Sequence, residues 1–491
     1  MGPGWPRCYF PAAGFAEKME KQHVKYDLAI IGAGSAGLSV AAAAAQFGEK
    51  VVLFEKAEMG GDCLNVGCVP SKALIAAAKY AQAQRASAPY GIAAVGPKVD
   101  YAKVMDYVQS VIAQIAPNDS VRRFEGLGVK VVQATAKFIS PQMIEANGEK
   151  FEARRFVIAT GSRAGLPPIP GLKDVPYFTN ETMFKNRILP SHLIVIGGGP
   201  IGLEMAQAHA RLGTKVTVLE AFKAMAKDDA ELAEVVIATL RTEGIDLHEN
   251  VEIINISKSK SGIAVNLKSG EAIMGSHILV AAGRQPNIEN LNLEVAGIAF
   301  DKLGIKVDKG LRTTNRKAYA AGDVAGGLQF THVAGYHAGL IIRNALFRLP
   351  VTNRTDIIPW VTYTDPELAH VGLSEAAARK IHGEKIKVLR WHFSENDRAQ
   401  AEGKTTGLIK VVVGKGGIIL GAGIVGSQAG ELLSPFVLAV TQKIKISAFA
   451  NLVLPYPTLS EIGKRAAITN YAGLAQKPAT RRLLGLLKIF G

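Results

Sequence analysis

The chain has 491 residues, of which 48% are hydrophobic and 20% charged, and this length and composition predict a globular protein of about three domains. Only three residues are cysteines, which argues against a secreted fold held together by disulfide bonds and favours a cytoplasmic location. The formal charge is +15 with a pI near 9.5, but no basic stripe with interleaved aromatic residues accompanies it, so we expect a solvated basic surface and no nucleic-acid partner.

A nucleotide-binding pattern begins near residue 26. The apolar run 26–31 predicts a buried parallel strand, and it leads into a glycine-rich turn, an alanine-rich helix and a second strand that ends at Glu55. Glycines allow a tight turn and the close approach of a pyrophosphate to a helix N-terminus, and the acid binds ribose hydroxyls. The pattern therefore predicts a dinucleotide site formed by Gly32, Gly34, Gly37 and Glu55.

Two of the three cysteines lie directly after this unit. Residues 60–72 read GGDCLNVGCVPSK, with four residues between Cys63 and Cys68. A structural zinc site needs Cys-x2-Cys spacing and further ligands, which this stretch lacks. Two thiols at the observed spacing can form a disulfide across a distorted helical turn, and a nearby cation such as Lys72 favours the reactive thiolate. The spacing therefore predicts no metal site and favours redox chemistry over metal binding, although a cysteine pair of this kind by itself is more often inert than catalytic.

The same nucleotide-binding unit recurs in the middle of the chain. A strand that begins at His192 precedes GGGPIG, a helix and a strand that ends at Glu220, which follows Gly197 by 23 residues, as in the first unit. Two units predict two bound dinucleotides, the second held by Gly197, Gly199, Gly202 and Glu220. Glu220 favours NAD over NADP because a carboxylate repels a 2′-phosphate, although two lysines just downstream weaken that repulsion.

The complete string 60–72 resembles the redox-disulfide signature of the class I pyridine nucleotide–disulfide oxidoreductases, the family of lipoamide dehydrogenase, glutathione reductase and mercuric reductase. This resemblance implies FAD at the first nucleotide site and a nicotinamide nucleotide at the second. It also implies that Cys68 is the thiol next to the flavin and that Cys63 exchanges with the substrate.

Further motifs of the family follow in the expected order. By resemblance, Gly161 and Gly283 lie in paired turns that join the two nucleotide domains, and Asp323 contacts the ribityl chain of FAD. Glu204 matches the acid that pairs with the motif lysine near the flavin. The string that starts at Thr364 matches the beginning of the family's dimer-interface domain, so we expect a homodimer.

These matches predict an α/β chain with two Rossmann-like dinucleotide-binding domains, for FAD and NAD(P), and a C-terminal α+β dimerisation domain. The predicted divisions are a disordered extension over 1–23, an FAD-binding domain over 24–165 and 288–355, an NAD(P)-binding domain over 166–287, the dimerisation domain over 356–475 and a basic amphipathic tail over 476–491. For the tail we expect a helix docked on its own protein or a frayed end, with weak contact to a membrane surface as the alternative.

The last motif of the family is altered in this chain. In glutathione reductase and lipoamide dehydrogenase this segment carries a histidine just before Pro-Thr and a glutamate five positions later. The corresponding residues here are Tyr456 and Glu461, which by resemblance act in the partner subunit's site. A histidine with a pKa near 6.5 can pass protons to a thiol at neutral pH, whereas a tyrosine with a pKa near 10 is a poor base. The substitution argues against efficient turnover of a free disulfide or of dihydrolipoamide.

The predicted function is that of an FAD-dependent NAD(P)H oxidoreductase, with NADH favoured. It passes electrons through the Cys63–Cys68 pair to a small or protein-bound disulfide or dithiol, as lipoamide dehydrogenase does. The alternative is a mercuric-reductase-like enzyme acting on a soft metal ion, because that relative has tyrosine at the position of Tyr456. Mercuric reductase also carries a cysteine pair near its C-terminus, whereas no cysteine follows Cys68 here. A third hypothesis is a flavoprotein that serves mainly as a subunit of a larger complex.

Overall fold

A computed structural model describes residues 25–259, 262–473 and 477–490 of the chain. The predicted N-terminal extension, 1–23, lies outside the described residues, as do residues 476 and 491 of the predicted tail. Within the described ranges, no helix combines the length and the apolar character needed to cross a membrane.

The first part of the chain, up to residue 164, forms a sheet with helices between its strands. Its elements are β1 (Lys25–Ile31), α1 (Ser35–Gln46), β2 (Val51–Glu55), α2 (Gly61–Asn65), α3 (Cys68–Arg85), α4 (Tyr101–Ile115), α5 (Val121–Gly126), β3 (Lys130–Gln133), β4 (Ala136–Ser140), β5 (Met143–Ala146), β6 (Glu149–Ile158) and β7 (Ser162–Ala164). Strands β2 and β6 flank β1 in parallel, with β3 beyond β2 and the antiparallel strands β5 and β4 beyond β6. Every residue of β2 is buried, as its continuous apolar run predicts.

The second part of the chain repeats this arrangement on a smaller scale. Its elements are α6 (Asn180–Met183), β8 (His192–Ile196), α7 (Pro200–Arg211), β9 (Lys215–Leu219), α8 (Ala230–Thr242), β10 (Asp246–His248), β11 (Ile253–Ser259), β12 (Gly262–Leu267), β13 (Ala272–Gly275), β14 (His277–Val280) and β15 (Arg284–Pro286). Strands β10, β9, β8 and β14 form a parallel sheet, and β11 to β13 form an antiparallel one.

The chain enters and leaves this second part through a single two-stranded ribbon. Strand β7 pairs antiparallel with β15, so the two crossover segments run side by side. Gly161 and Gly283 immediately precede these strands, at φ +66° and +121°. Both predicted turns therefore lie at one junction.

The chain then returns to complete the first sheet. The returning elements are β16 (Phe300–Asp301), β17 (Gly304–Ile305), β18 (Ala318–Ala320) and α9 (Thr331–Ala345). Strand β18 pairs in parallel with β6, and α9 packs against α1 through a buried cluster that includes Val40, Ala44 and Ile341. The first nucleotide unit is thus built from two separate stretches of sequence.

The C-terminal part is an antiparallel sheet covered by short helices. Its elements are β19 (Trp360–Thr362), β20 (Glu367–Gly372), α10 (Glu375–His382), β21 (Lys387–His392), α11 (Asp397–Ala401), β22 (Leu408–Val413), β23 (Ile419–Gly426), α12 (Ala429–Leu432), α13 (Ser434–Gln442), α14 (Ile446–Ala450), α15 (Glu461–Thr469) and α16 (Pro478–Leu487). The strand order is β19-β20-β23-β22-β21. The predicted fold class, two nucleotide-binding units followed by an α+β domain, is confirmed.

A buried lysine connects the second unit to the C-terminal sheet. The side chain of Lys410, on β22, is 7% exposed, and its Nζ lies 2.9 Å from Asp229 Oδ1 and 2.8 Å from both Glu231 Oε2 and Glu375 Oε2. Burial acts to lower the pKa of Lys410, but its bonds to the three carboxylates outweigh burial and raise it. The ammonium therefore stays charged and neutralises a cluster of acids at the junction.

We predict that Lys410→Met lowers the free energy of unfolding by about 3 kcal/mol, because it leaves partly buried carboxylates without their cation. Urea denaturation followed by tryptophan fluorescence measures this, since Trp360 and Trp391 both lie in strands of the C-terminal sheet. The matched control is Lys385→Met, an exposed lysine of the same domain. Equal denaturation midpoints for the two variants would contradict the prediction.

Candidate active site

The first glycine-rich turn forms a cradle of backbone atoms, with no room for a side chain at Gly32 or Gly37. Gly32 has φ +104°, and a Cβ there would lie 2.4 Å from a backbone oxygen, while a Cβ on Gly37 would lie 1.8 Å from the Gly32 oxygen. Gly34 caps α1 without a side-chain hydrogen bond, which leaves the helix N-terminus open to an anion. The carboxylate of Glu55 accepts the N–H of Ala33 at 2.7 Å. This geometry fits the pyrophosphate and ribose of a dinucleotide.

The second glycine-rich turn has the same construction. A Cβ on Gly202 would lie 2.0 Å from the Gly197 oxygen, whereas a Cβ on Gly199 would meet nothing within 4 Å. Gly199 caps α7 without a side-chain hydrogen bond, as Gly34 does for α1. The carboxylate of Glu220 accepts the N–H of Gly198 at 2.7 Å. The second cradle therefore also fits a dinucleotide.

The two cysteines lie on consecutive helices that fold tightly onto each other. Cys63 belongs to the short helix α2, and Cys68 is the first residue of α3. Gly67 joins the helices, and a Cβ there would lie 2.8 Å from the Asp62 oxygen, so only glycine permits this approach. Both cysteines are free thiols, so the structure shows the reduced form of the pair.

The two thiols of the reduced pair differ in pKa. The hydrogen bond from Cys63 lowers the pKa of Cys68 to about 6, against the opposing effect of burial and with help from the Thr331 hydroxyl and the charge of Lys72. Thr331 Oγ1 lies 3.4 Å from Cys68 Sγ. The same bond to Cys68, together with burial, raises the pKa of Cys63. At neutral pH the reduced pair therefore consists of a Cys68 thiolate and a protonated Cys63.

A charged pair lies one helical turn beyond Cys68. Lys72 Nζ lies 2.8 Å from Glu204 Oε2, and the Glu204 side chain, on α7, is only 5% exposed. Tyr363 donates its backbone N–H to Glu204 Oε1 at 3.0 Å and places its ring 4.2 Å from Lys72 Nζ. One ion pair thus ties the cysteine helix to the second nucleotide unit and to the C-terminal domain.

Asp323 is linked through Arg284 to Asp62, in the segment 60–72 that carries the cysteines. It belongs to a one-turn helix after β18, where Ser162 Oγ donates to its carboxylate at 2.5 Å. Arg284 contacts the carboxylate of Asp62 and places its Nε 3.6 Å from Asp323 Oδ2. Burial raises the pKa of Asp323, opposed by the Ser162 bond and the Arg284 charge. These contacts connect the segment 60–72 to the ribbon of β7 and β15 that joins the two nucleotide units.

Tyr456 and Glu461 form a separate group in the C-terminal domain. Tyr456 is 69% exposed, and its hydroxyl donates to Asp397 Oδ2 at 2.9 Å. This bond raises the pKa of Tyr456, and the nearby Glu461 at the start of α15 adds to the effect. Within the described part of this single chain, neither residue contacts the cysteine pair. A phenol held in this way stays protonated at neutral pH.

Several residues of the site were not predicted from the sequence. Thr331 follows the Asp323 motif at a helix start, which is a usable signal, and Tyr363 directly precedes the Thr364 string. Arg284 follows Gly283 at a turn. Asp397 carries no recognisable signal, because it approaches Tyr456 only in the folded domain.

Comparison with known proteins identifies the family. The model of the pyridine nucleotide-disulphide oxidoreductases matches residues 26–338, and the model of that family's dimerisation domain matches residues 358–467. This chain belongs to the pyridine nucleotide–disulfide oxidoreductases. As a member of this family it is an FAD-dependent NAD(P)H oxidoreductase that acts on a sulfur group. Its dimerisation domain supports a homodimer.

Three similar proteins illustrate its relationships. The chain is 34% identical to a mercuric reductase of Streptomyces lividans, over 93% of this chain and 99% of the relative. It is 37% identical to a dihydrolipoyl dehydrogenase of Thermus scotoductus, over 89% of this chain and 95% of the relative. Its fold resembles the Cu(II) complex of the HOCl-induced flavoprotein disulfide reductase RclA from Escherichia coli, with TM-score 0.81, 27% identity and coverage of 89% and 99% of the two chains.

We predict that the Cys68 thiol in the reduced protein titrates with a midpoint at about 6 and that Cys63→Ala raises this midpoint by roughly one unit, because it removes the hydrogen bond that most favours the thiolate. Absorbance of the thiolate at about 240 nm measures the midpoint. A Cys8→Ser background removes the third thiol of the chain. An unchanged midpoint in Cys63→Ala would show that the two thiols are not coupled.

Proposed function

We propose that the chain is an NADH-dependent reductase that passes an electron pair through Cys68 and Cys63 to the disulfide of a small or protein-bound acceptor. The observation that supports this proposal best is the difference in pKa between the two thiols. The pKa of Cys68 is lowered and that of Cys63 is raised, which gives each thiol a distinct task. When bound, FAD supplies hydride acceptance from the nicotinamide and delivery of an electron pair to the disulfide.

The two thiols divide the reaction between them in this proposal. Reduction of the Cys63–Cys68 disulfide consumes two electrons and one proton and leaves Cys63 protonated and Cys68 as thiolate. Cys68, at the N-terminus of α3, is held as thiolate by the positive end of that helix and by the Thr331 hydroxyl. Cys63 attacks one acceptor sulfur and forms a mixed disulfide, and the other acceptor sulfur leaves as a thiol with the proton that Cys63 loses. Cys68 then attacks Cys63, which restores the disulfide and releases the second acceptor sulfur as a thiolate.

Charged residues around the pair support this direction of electron flow. In the proposal, Lys72 offsets the negative charge that reduction places on Cys68, and the buried Glu204 fixes the position of Lys72. Glu220 supports the preference for NADH, since its carboxylate follows β9 beside the glycine-rich turn, where it would bind the ribose of a nicotinamide nucleotide and repel a 2′-phosphate.

Anaerobic titration with NADH, and in parallel with NADPH, tests the proposed route. We expect uptake of about four electrons per chain, two for FAD and two for the disulfide, with a long-wavelength thiolate-to-flavin absorption band. Cys63→Ser should show this band before any reductant is added, because Cys68 can no longer form a disulfide. Its acceptor turnover should fall by about two orders of magnitude or more.

Cys8→Ser is the matched control for these substitutions and should behave as the native chain. Uptake of only about two electrons without the band would contradict the proposal and would favour a flavoprotein that serves as a subunit of a larger assembly.

A soft metal ion is the second candidate acceptor, and Tyr456 is the observation that favours it. Its hydroxyl is tied to Asp397 and its pKa is raised, so it cannot serve as the base that disulfide exchange uses in relatives with histidine. A soft ion can bind the Cys68 thiolate and displace the proton of Cys63 itself, so its capture needs no such base. The mercuric reductases among the relatives and the Cu(II) complex of RclA support this candidate.

Substitution of Tyr456 separates the two acceptors. If the acceptor is a disulfide, Tyr456→His should raise NADH-dependent disulfide reduction by about tenfold or more, because it supplies a base with a pKa near neutrality. If the acceptor is a soft ion, Tyr456→Phe should lower turnover with Hg(II) under excess thiol and leave disulfide turnover unchanged. Tyr107→Phe, at an exposed tyrosine of α4, is the control. Equal rates in all variants with both acceptors would remove Tyr456 from the reaction.

A further inference from the structure

The C-terminal helix α16 takes no part in the three domains or in the candidate site. The family match ends at residue 467, and α16 begins eleven residues later, at Pro478. None of its residues is buried, and its leucines Leu483, Leu484, Leu486 and Leu487 are all more than half exposed, at 56%, 53%, 59% and 55%. The leucines of this helix are therefore not packed into a core of the described chain, and the expectation that the tail docks on its own protein stays a prediction.

The exposed helix has two chemically distinct faces. At 3.6 residues per turn, an apolar face and a basic face lie on opposite sides of the helix and of the turn that continues it. The apolar face is formed by Leu483, Leu486, Leu487 and Phe490, and the basic face by Lys477, Arg481 and Lys488. Arg482 lies at the border between them. A helix of this kind gains stability by burying its apolar face, since ten residues form only a marginal helix in water.

The charge around this helix selects its partner. Six basic residues and no acidic residue follow Glu461 in the sequence. This charge repels a second copy of the same tail, whereas it attracts a surface of anionic lipid. The helix is about 15 Å long, too short to span a bilayer, so its apolar face suits the boundary between headgroups and acyl chains.

We propose that α16 docks flat on an anionic lipid surface, with its leucine face in the headgroup boundary and its basic residues at the lipid phosphates. This goes beyond the proposed function and does not depend on the acceptor. Because the chain carries a dimerisation domain, a dimer presents two such helices, and two weak contacts on one particle bind more tightly than either alone.

Flotation of the FAD-bound full chain with lipid vesicles tests this proposal. One set of vesicles is neutral phosphatidylcholine, and the other contains about one third phosphatidylglycerol. We expect the flavin absorbance to float with the anionic vesicles and to stay below the neutral ones, and roughly half-molar salt to release it.

Two tail variants and one matched control sharpen the test. Replacing Lys477, Arg482 and Lys488 together by glutamine should weaken binding by about 100-fold, on the basis of about fivefold for each basic residue. Leu483→Gln combined with Leu487→Gln should weaken it by about tenfold or more. Replacing Lys98, Lys385 and Lys404 by glutamine removes the same charge from exposed sites elsewhere and should leave binding unchanged. NADH oxidation should be equal in all four proteins.

Four outcomes would overturn the proposal. The native chain could fail to float with either vesicle, or it could float equally well with both. Equal loss of binding in the control and in the charge variant would show that net charge alone, and not α16, attracts the lipid. A dimer that dissociates in the leucine variant without any vesicle binding would assign the apolar face to a second copy of the chain.

Discussion

The chemistry of this protein depends on a single hydrogen bond between two thiols. Cys63 keeps its proton and donates it toward Cys68, which lowers the pKa of Cys68 to about 6. The surrounding structure serves this contact: Gly67 lets the two helices approach, the N-terminus of α3 supplies positive potential, and Lys72 lies one turn away. A reduced pair of this kind holds one negative charge, so it needs less compensation than two thiolates would.

The rest of the fold places two dinucleotide sites around this pair. Both cradles use the same geometry, down to the carboxylates of Glu55 and Glu220, which each accept a backbone N–H of the turn at 2.7 Å. The ribbon of β7 and β15 joins the two units, and the Lys72–Glu204 ion pair connects them a second time, beside the cysteines. Reduction of the pair is therefore mechanically and electrostatically linked to both nucleotide units.

Tyr456 lies at the acceptor end of the chain, at the position where the resemblance places a histidine in lipoamide dehydrogenase and glutathione reductase. Its bond to Asp397 holds the phenol protonated. The chain is similar both to a mercuric reductase and to a dihydrolipoyl dehydrogenase, so its membership of the family leaves the acceptor open. The exposed helix α16 lies beyond the family match and presents a leucine face and a basic face to the surroundings.

The sequence by itself determined the family, both nucleotide-binding units and the position of the cysteine pair, because those features depend on residue type at spacings shorter than one βαβ unit. It also located Lys72, Glu204 and Tyr456. Only the tertiary structure decided which side chains surround them. Thr331 reaches Cys68 across 263 positions, and Asp397 reaches Tyr456 across 59. Short-range patterns carry no information on such contacts, since they arise when separate elements pack, and this packing sets the pKa of the thiol and of the phenol.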